Sequence, residues 1–111
     1  MANKTDLKIL EIAEDAPVPA TADEIIKAYQ IVSARLIAQV KEKWSDDSLS
    51  EMVSMFGEEW SKSSTLHILM KHEIHHRGQM TVLMRRAGLT VPGLYGPAKE
   101  EWSQYNMSPM E

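Results

Sequence analysis

The fold is decided by the stretch His67-Ile-Leu-Met-Lys-His-Glu-Ile-His-His-Arg-Gly-Gln79, which holds all four histidines of the chain. On an α-helix, residues four apart share a face, so His72 and His76 lie within about 40° of each other. Most other residues on that face are apolar, so we expect both imidazoles to point into the interior of a helical bundle. The other members of the face are Thr65, Leu69, Gln79, Met80, Leu83 and Ala87.

The other two histidines fall elsewhere around the same helix. His67 is nearly opposite the pair, and we expect it to face solvent. His75 lies on the flank, and we expect it at the edge of the interior face. The helix itself should run from about Ser63 or Ser64 to Ala87, with a serine as its cap and a glycine, Gly88, after its end.

Two inward imidazoles one turn apart are typical of a metal site, because each can present a nitrogen at the ~2.0–2.1 Å that zinc requires. Bundle cores commonly build such sites from side chains on facing helices. The alternative is a pair of core histidines that are hydrogen-bonded to their neighbours. Gln79 shares their face, and it could orient a ligand or bond to the backbone. His75 and Glu73 are further candidates for residues that support the ligands.

The same run also matches the zincin pattern His-Glu-x-x-His, as His72-Glu73-Ile74-His75-His76. In that interpretation Glu73 is the general base, and Glu100 or Glu101 is the third ligand. The short pattern arises easily by chance, and the chain shows no strand-rich half that would hold a peptide beside the helix. This alternative is therefore the weaker one.

Outward from the histidines, the sequence predicts an all-α protein with three helices and an extended C-terminal tail. A short helix is expected at about Thr5–Glu14, before a proline-containing linker. Thr21-Ala-Asp-Glu24 has the pattern of a capping box, which predicts a long helix to about Trp44. Residues 45–61 form a connection, and the extended tail 89–97 leads to one or two helical turns at 98–105.

Composition and net charge limit the classes of function that are open to this chain. The 111 residues are 43% hydrophobic, which predicts one globular domain, residues 1–111. The net charge of −4 argues against nucleic acid as a partner, although residues 62–86 carry five basic side chains and one acid. The chain has no cysteine, no signal-peptide pattern and no run of ~20 apolar residues, so a cytoplasmic protein without a membrane span is expected.

The central stretch, followed by Gly88-Leu-Thr-Val-Pro-Gly-Leu-Tyr-Gly-Pro97, closely resembles the C-terminal part of DinB-like (DinB/YfiT) proteins. The resemblance implies a four-helix bundle, usually a homodimer, with a divalent metal ion, commonly zinc or nickel, held by three histidines. Two of these match His72 and His76. Known activities in this family include metal-dependent thiol transfer and isomerisation, and some members are described as hydrolases, so a small-molecule substrate is expected.

The chain departs from the family pattern at the third ligand. It has no histidine before His67, and the first helix of the family is expected to be absent. Two functions remain open: a metal-dependent thiol transferase or hydrolase with an incomplete histidine site, and a dimeric helical-bundle protein that has lost catalysis. In both, we expect a homodimer to complete the bundle.

Overall fold

The computed structural model describes residues 5–8, 13 and 15–110. The predicted helix at Thr5–Glu14 falls mostly outside these residues, and Thr5–Lys8 have no helical geometry. Most of the described chain is helical, and the segment that joins the two long helices along the chain forms a small sheet. In chain order the elements are helix α1 (Ala22–Lys43), a 3₁₀ turn (Asp47–Ser50), strands β1 (Met52–Met55) and β2 (Glu58–Ser61), helix α2 (Lys62–Arg86) and a 3₁₀ segment (Lys99–Tyr105).

The predicted capping box starts α1. The Thr21 hydroxyl accepts from the Glu24 amide at 3.3 Å, and the Glu24 carboxylate accepts from the amide of Thr21 at 3.3 Å and from that of Ala20 at 2.8 Å. These bonds satisfy amide donors that have no partner inside the helix. The helix ends at Lys43, so the predicted long helix is confirmed to within one residue.

A β-hairpin between the helices corrects the all-α prediction. Strands β1 and β2 pair antiparallel, with Met55 opposite Glu58. The two residues of the turn, Phe56 and Gly57, both have positive φ, 52° and 83°, as a type I′ hairpin turn requires. The rings of Phe56 and Trp60 then meet edge to face, with centroids 6.1 Å apart. The predicted connection thus contains regular structure of its own.

The described residues up to Leu66 form one compact unit around Trp44. The Trp44 indole is buried, and its Nε1 donates to Asp6 Oδ1 at 2.9 Å, which lowers the pKa of that carboxyl group. The ammonium of Lys62 lies 5.1 Å from the centroid of the Trp44 ring and 2.7 Å from Glu51 Oε2. Trp44 therefore anchors the packing of this unit, as large aromatic side chains commonly do. The other buried residues among those described in this unit are Leu7, Met55, Lys62 and Thr65.

Residues from His67 onward form the second unit. Helix α2 ends at Arg86, and Gly88 follows with φ 74°. The amide of Gly88 donates to the Arg85 carbonyl at 3.0 Å and that of Leu89 to the Met84 carbonyl at 2.9 Å, which is a Schellman motif. The predicted glycine end of the helix is confirmed. At its start the cap is Ser61, whose hydroxyl accepts from the Ser64 amide at 3.0 Å.

The tail after α2 is held by two neighbouring carboxylates. Glu101 accepts from the amide of Gly93 at 3.0 Å and from that of Ala98 at 2.9 Å, which closes the loop between them. Glu100 forms an ion pair with Arg85 of α2. A Cβ atom at Gly93 would lie 2.6 Å from the Gly96 carbonyl and would also strike the Glu101 carboxylate. The tail therefore depends on a glycine at this position.

Candidate metal centre

The two histidines of the predicted pair lie in the middle of α2, and both are exposed. The expectation of an interior position is therefore wrong for the described chain. Only Lys62 and Thr65 of α2 are buried, both in the first turn. His67 is exposed, as predicted, and His75 is exposed as well.

The pair has the side-chain geometry that the i, i+4 spacing predicts. The Nε2 atoms of His72 and His76 are 3.1 Å apart, and the ring centroids are 4.5 Å apart at an interplanar angle of 79°. The two rings thus place the same nitrogen, Nε2, at a common point beside the helix. Their open surroundings leave that point accessible to a small ion.

Gln79 contacts the pair from the next turn of the helix. Its Oε1 lies 2.8 Å from Nδ1 of His76, within hydrogen-bond distance. His75 contacts the ring of His76 from the flank, with centroids 5.3 Å apart. Glu73 turns to Arg77, with a carboxylate to guanidinium distance of 3.7 Å. Of the three supporting candidates, Gln79 therefore makes the hydrogen bond to the pair.

The two Nε2 atoms have the spacing of two of the ligands of a metal ion. Neighbouring donors in tetrahedral coordination at ~2.0–2.1 Å from zinc are separated by about 3.3 Å, close to the 3.1 Å between the two Nε2 atoms. No group of three His, Asp or Glu side chains that could hold a metal ion occurs within residues 5–8, 13 and 15–110. The described chain thus offers two ligands of the usual three.

The acidic residues considered as a third ligand are engaged elsewhere. Glu100 pairs with Arg85, which holds the pKa of its carboxyl group below the ordinary range. Glu101 accepts two backbone amides, those of Gly93 and Ala98, with the same effect on its pKa. Both carboxylates therefore stabilise the tail rather than the histidine pair. This arrangement argues against the zincin interpretation.

A cavity of about 370 Å³ lies between the C-terminal half of α2 and the tail. The helical phase puts its α2 residues, Thr81, Val82 and Arg85, away from the histidine face. Both oxygens of Glu100 contact the guanidinium of Arg85, one of them at 3.0 Å. The charged group on this cavity is therefore already neutralised. This cavity could not be predicted from the sequence, because the turns of the tail that line it follow no periodic pattern.

The sequence model of the DinB family matches residues 2–108. The chain belongs to the DinB family. The crystal structure of a DinB-like protein from Bacillus cereus ATCC 10987 is similar, with a TM-score of 0.78 and 42% identity, covering 84% of this chain and 62% of that protein. The DinB-like fold expected from the resemblance is therefore confirmed. Metal binding is general in the DinB family.

Two relatives of this DinB family member come from Bacillus subtilis (strain 168). The uncharacterized protein YrdA is 46% identical over 107 residues, which are 96% of this chain and 64% of YrdA. The uncharacterized protein YjoA is 30% identical over 66 residues, 60% of this chain and 42% of YjoA. The chain thus spans slightly under two thirds of the length of YrdA and of the Bacillus cereus protein. In the described residues, no helix is both long and apolar enough to cross a membrane.

Proposed function

We propose that this DinB family member binds a divalent metal ion, zinc or nickel, through Nε2 of His72 and Nε2 of His76. The observation that carries the proposal is the 3.1 Å separation of these two nitrogens on one exposed helix face. Neutral imidazole suits both metals, and the separation is close to that of two ligands of one ion. Because only two protein ligands are at hand, we expect weaker binding than at a three-histidine site.

The chemistry that follows is metal-dependent thiol transfer or hydrolysis of a small molecule. A bound divalent ion lowers the pKa of a coordinated thiol or water, so that a reactive anion is available near neutral pH. In this chain His72 and His76 hold the ion and leave its other coordination positions open for substrate. The neighbouring Arg77 is paired with the carboxylate of Glu73. A third ligand would come from outside the described residues, and a second copy of the chain is one source.

A second candidate is a DinB-type module that has lost catalysis. One observation favours it: a three-ligand group is missing from the part of the chain that the structure describes. Cobalt(II) separates the two candidates, because a thiolate that joins cobalt at an open position gives a charge-transfer band. A thiol transferase predicts such a band when 2-mercaptoethanol is added to the cobalt-loaded protein, because its thiol substrate must coordinate the ion. The degenerate module predicts no thiol-dependent band.

Calorimetric titration of the untagged protein with zinc and with nickel tests the metal site itself. His72→Ala and His76→Ala should each abolish measurable binding, because one imidazole alone falls far short of a site. His67→Ala is the matched control, since His67 is an exposed histidine on the same helix that is remote from the pair in helical phase. Unchanged affinity in both His72→Ala and His76→Ala would refute the site.

A further inference from the structure

We propose that Gln79 is a positioning residue that selects the tautomer of His76, and through it the opposite tautomer of His72. The inference rests on the proposed metal site for its functional meaning. It begins from the 2.8 Å contact between Gln79 Oε1 and His76 Nδ1. An amide oxygen only accepts hydrogen bonds, so Nδ1 of His76 must carry the proton and donate it. In a neutral imidazole this leaves Nε2 of His76 with a bare lone pair.

The bare lone pair of His76 decides the state of its neighbour. Nε2 of His72 lies 3.1 Å from Nε2 of His76, and two bare lone pairs at this distance would repel. His72 therefore carries its proton on Nε2 and donates to His76. The result is a chain of two hydrogen bonds along one helix face, from His72 to His76 and from His76 to Gln79, at positions i, i+4 and i+7.

This chain of hydrogen bonds leaves the two ligands in different tautomers. Nε2 of His76 carries no proton, because Gln79 holds the proton on the other ring nitrogen, and it can coordinate a metal ion once the hydrogen bond from His72 is released. His72 must first give up the proton on Nε2, which returns to its own Nδ1 through solvent, so that the ring stays neutral. Gln79 thus fixes the tautomer of one of the two ligands, His76, before a metal ion binds. Bonds of this kind typically raise metal affinity 10- to 100-fold.

Long-range ¹H–¹⁵N NMR of the metal-free protein tests the tautomers directly. At about pH 8, where an ordinary histidine is neutral, His76 should be the Nδ1–H tautomer and His72 the Nε2–H tautomer. Gln79→Leu removes the acceptor, so His76 should shift toward the Nε2–H form that free imidazole side chains favour. Gln79→Glu keeps an acceptor and should restore Nδ1–H. Gln30→Leu, at an exposed glutamine of α1, is the control and should leave both histidines unchanged.

Zinc titration supplies the second readout. Gln79→Leu should bind zinc 10- to 100-fold more weakly than the unchanged protein, and Gln79→Glu should bind at least as well. The inference is overturned if His76 is found as the Nε2–H tautomer, or if Gln79→Leu changes neither its tautomer nor zinc affinity. If the unchanged protein binds no zinc but shows the expected tautomers, the metal site fails while the hydrogen-bond chain stands.

Discussion

At the scale of a single residue, Lys62 shows how the fold stabilises a buried charge. It is only 8% exposed, and its ammonium lies between Glu51 and the face of Trp44. Lys62 is the first of the five basic side chains of residues 62–86, but its charge is buried and paired. Because a buried cation is costly without its partner, the pair acts as a unit.

The first prediction compares the two members of that pair. Glu51→Gln should lower the free energy of unfolding by about 1 kcal/mol, because it removes the carboxylate charge 2.7 Å from the buried ammonium. The side chain of Glu51 is 59% exposed, so water keeps this loss moderate. Lys62→Met should cost less, since it removes the cation and keeps an unbranched stem against Trp44. Urea denaturation of both variants measures the difference, and a larger loss in Lys62→Met would contradict it.

Helix α2 offers two glycines with opposite roles at the scale of an element. Gly88 ends the helix with φ 74°, a conformation that a side chain disfavours. Gly78 lies inside the helix, and a Cβ atom there would meet nothing within 4 Å. One substitution, to alanine, should therefore have opposite effects at the two positions.

We expect Gly88→Ala to lower the free energy of unfolding by about 1 kcal/mol and Gly78→Ala to raise it by about 0.5–1 kcal/mol. The first change strains the Schellman motif, whereas the second removes backbone entropy from the unfolded chain. Thermal unfolding followed by circular dichroism gives both signs in one experiment. A lower melting temperature for Gly78→Ala would show that its helix face is covered in solution.

At the scale of the whole molecule, the long helices leave much apolar surface uncovered. No residue of α1 is buried, and its exposed apolar side chains include Ile25, Ile26, Tyr29, Ile31 and Ile37. Covering such surface contributes ~25 cal/mol per Å², so pairing of two chains would gain several kcal/mol. Two copies related by a two-fold axis supply four long helices, enough for a closed bundle.

We therefore expect a homodimer. Sedimentation equilibrium at micromolar protein concentration should give twice the chain mass of 12.6 kDa. Urea unfolding should also become more difficult as protein concentration rises, because dissociation is coupled to unfolding. A folded monomer whose stability does not depend on concentration would contradict the prediction.

Features that depend on neighbours in the chain could be predicted from the sequence. Thr21 and Glu24 contain the whole capping box, and Gly88 marks the end of α2. The spacing of His72 and His76 brings their rings together wherever the helix lies. The hairpin was missed because its turn has Phe56 where asparagine or aspartate usually precedes the glycine of a type I′ turn.

The tertiary structure alone decided what is buried. Helical phase separates the faces of α2, but it does not say whether another element covers them. His72 and His76 were therefore expected inside and are exposed, whereas Lys62, which the sequence marked only as one of the basic side chains of residues 62–86, is buried. Burial depends on which elements meet, and Trp44 and Glu51 reach Lys62 only after the hairpin returns the chain to the end of α1. These contacts join residues that are distant in the sequence, so the local periodicity of the chain does not reveal them.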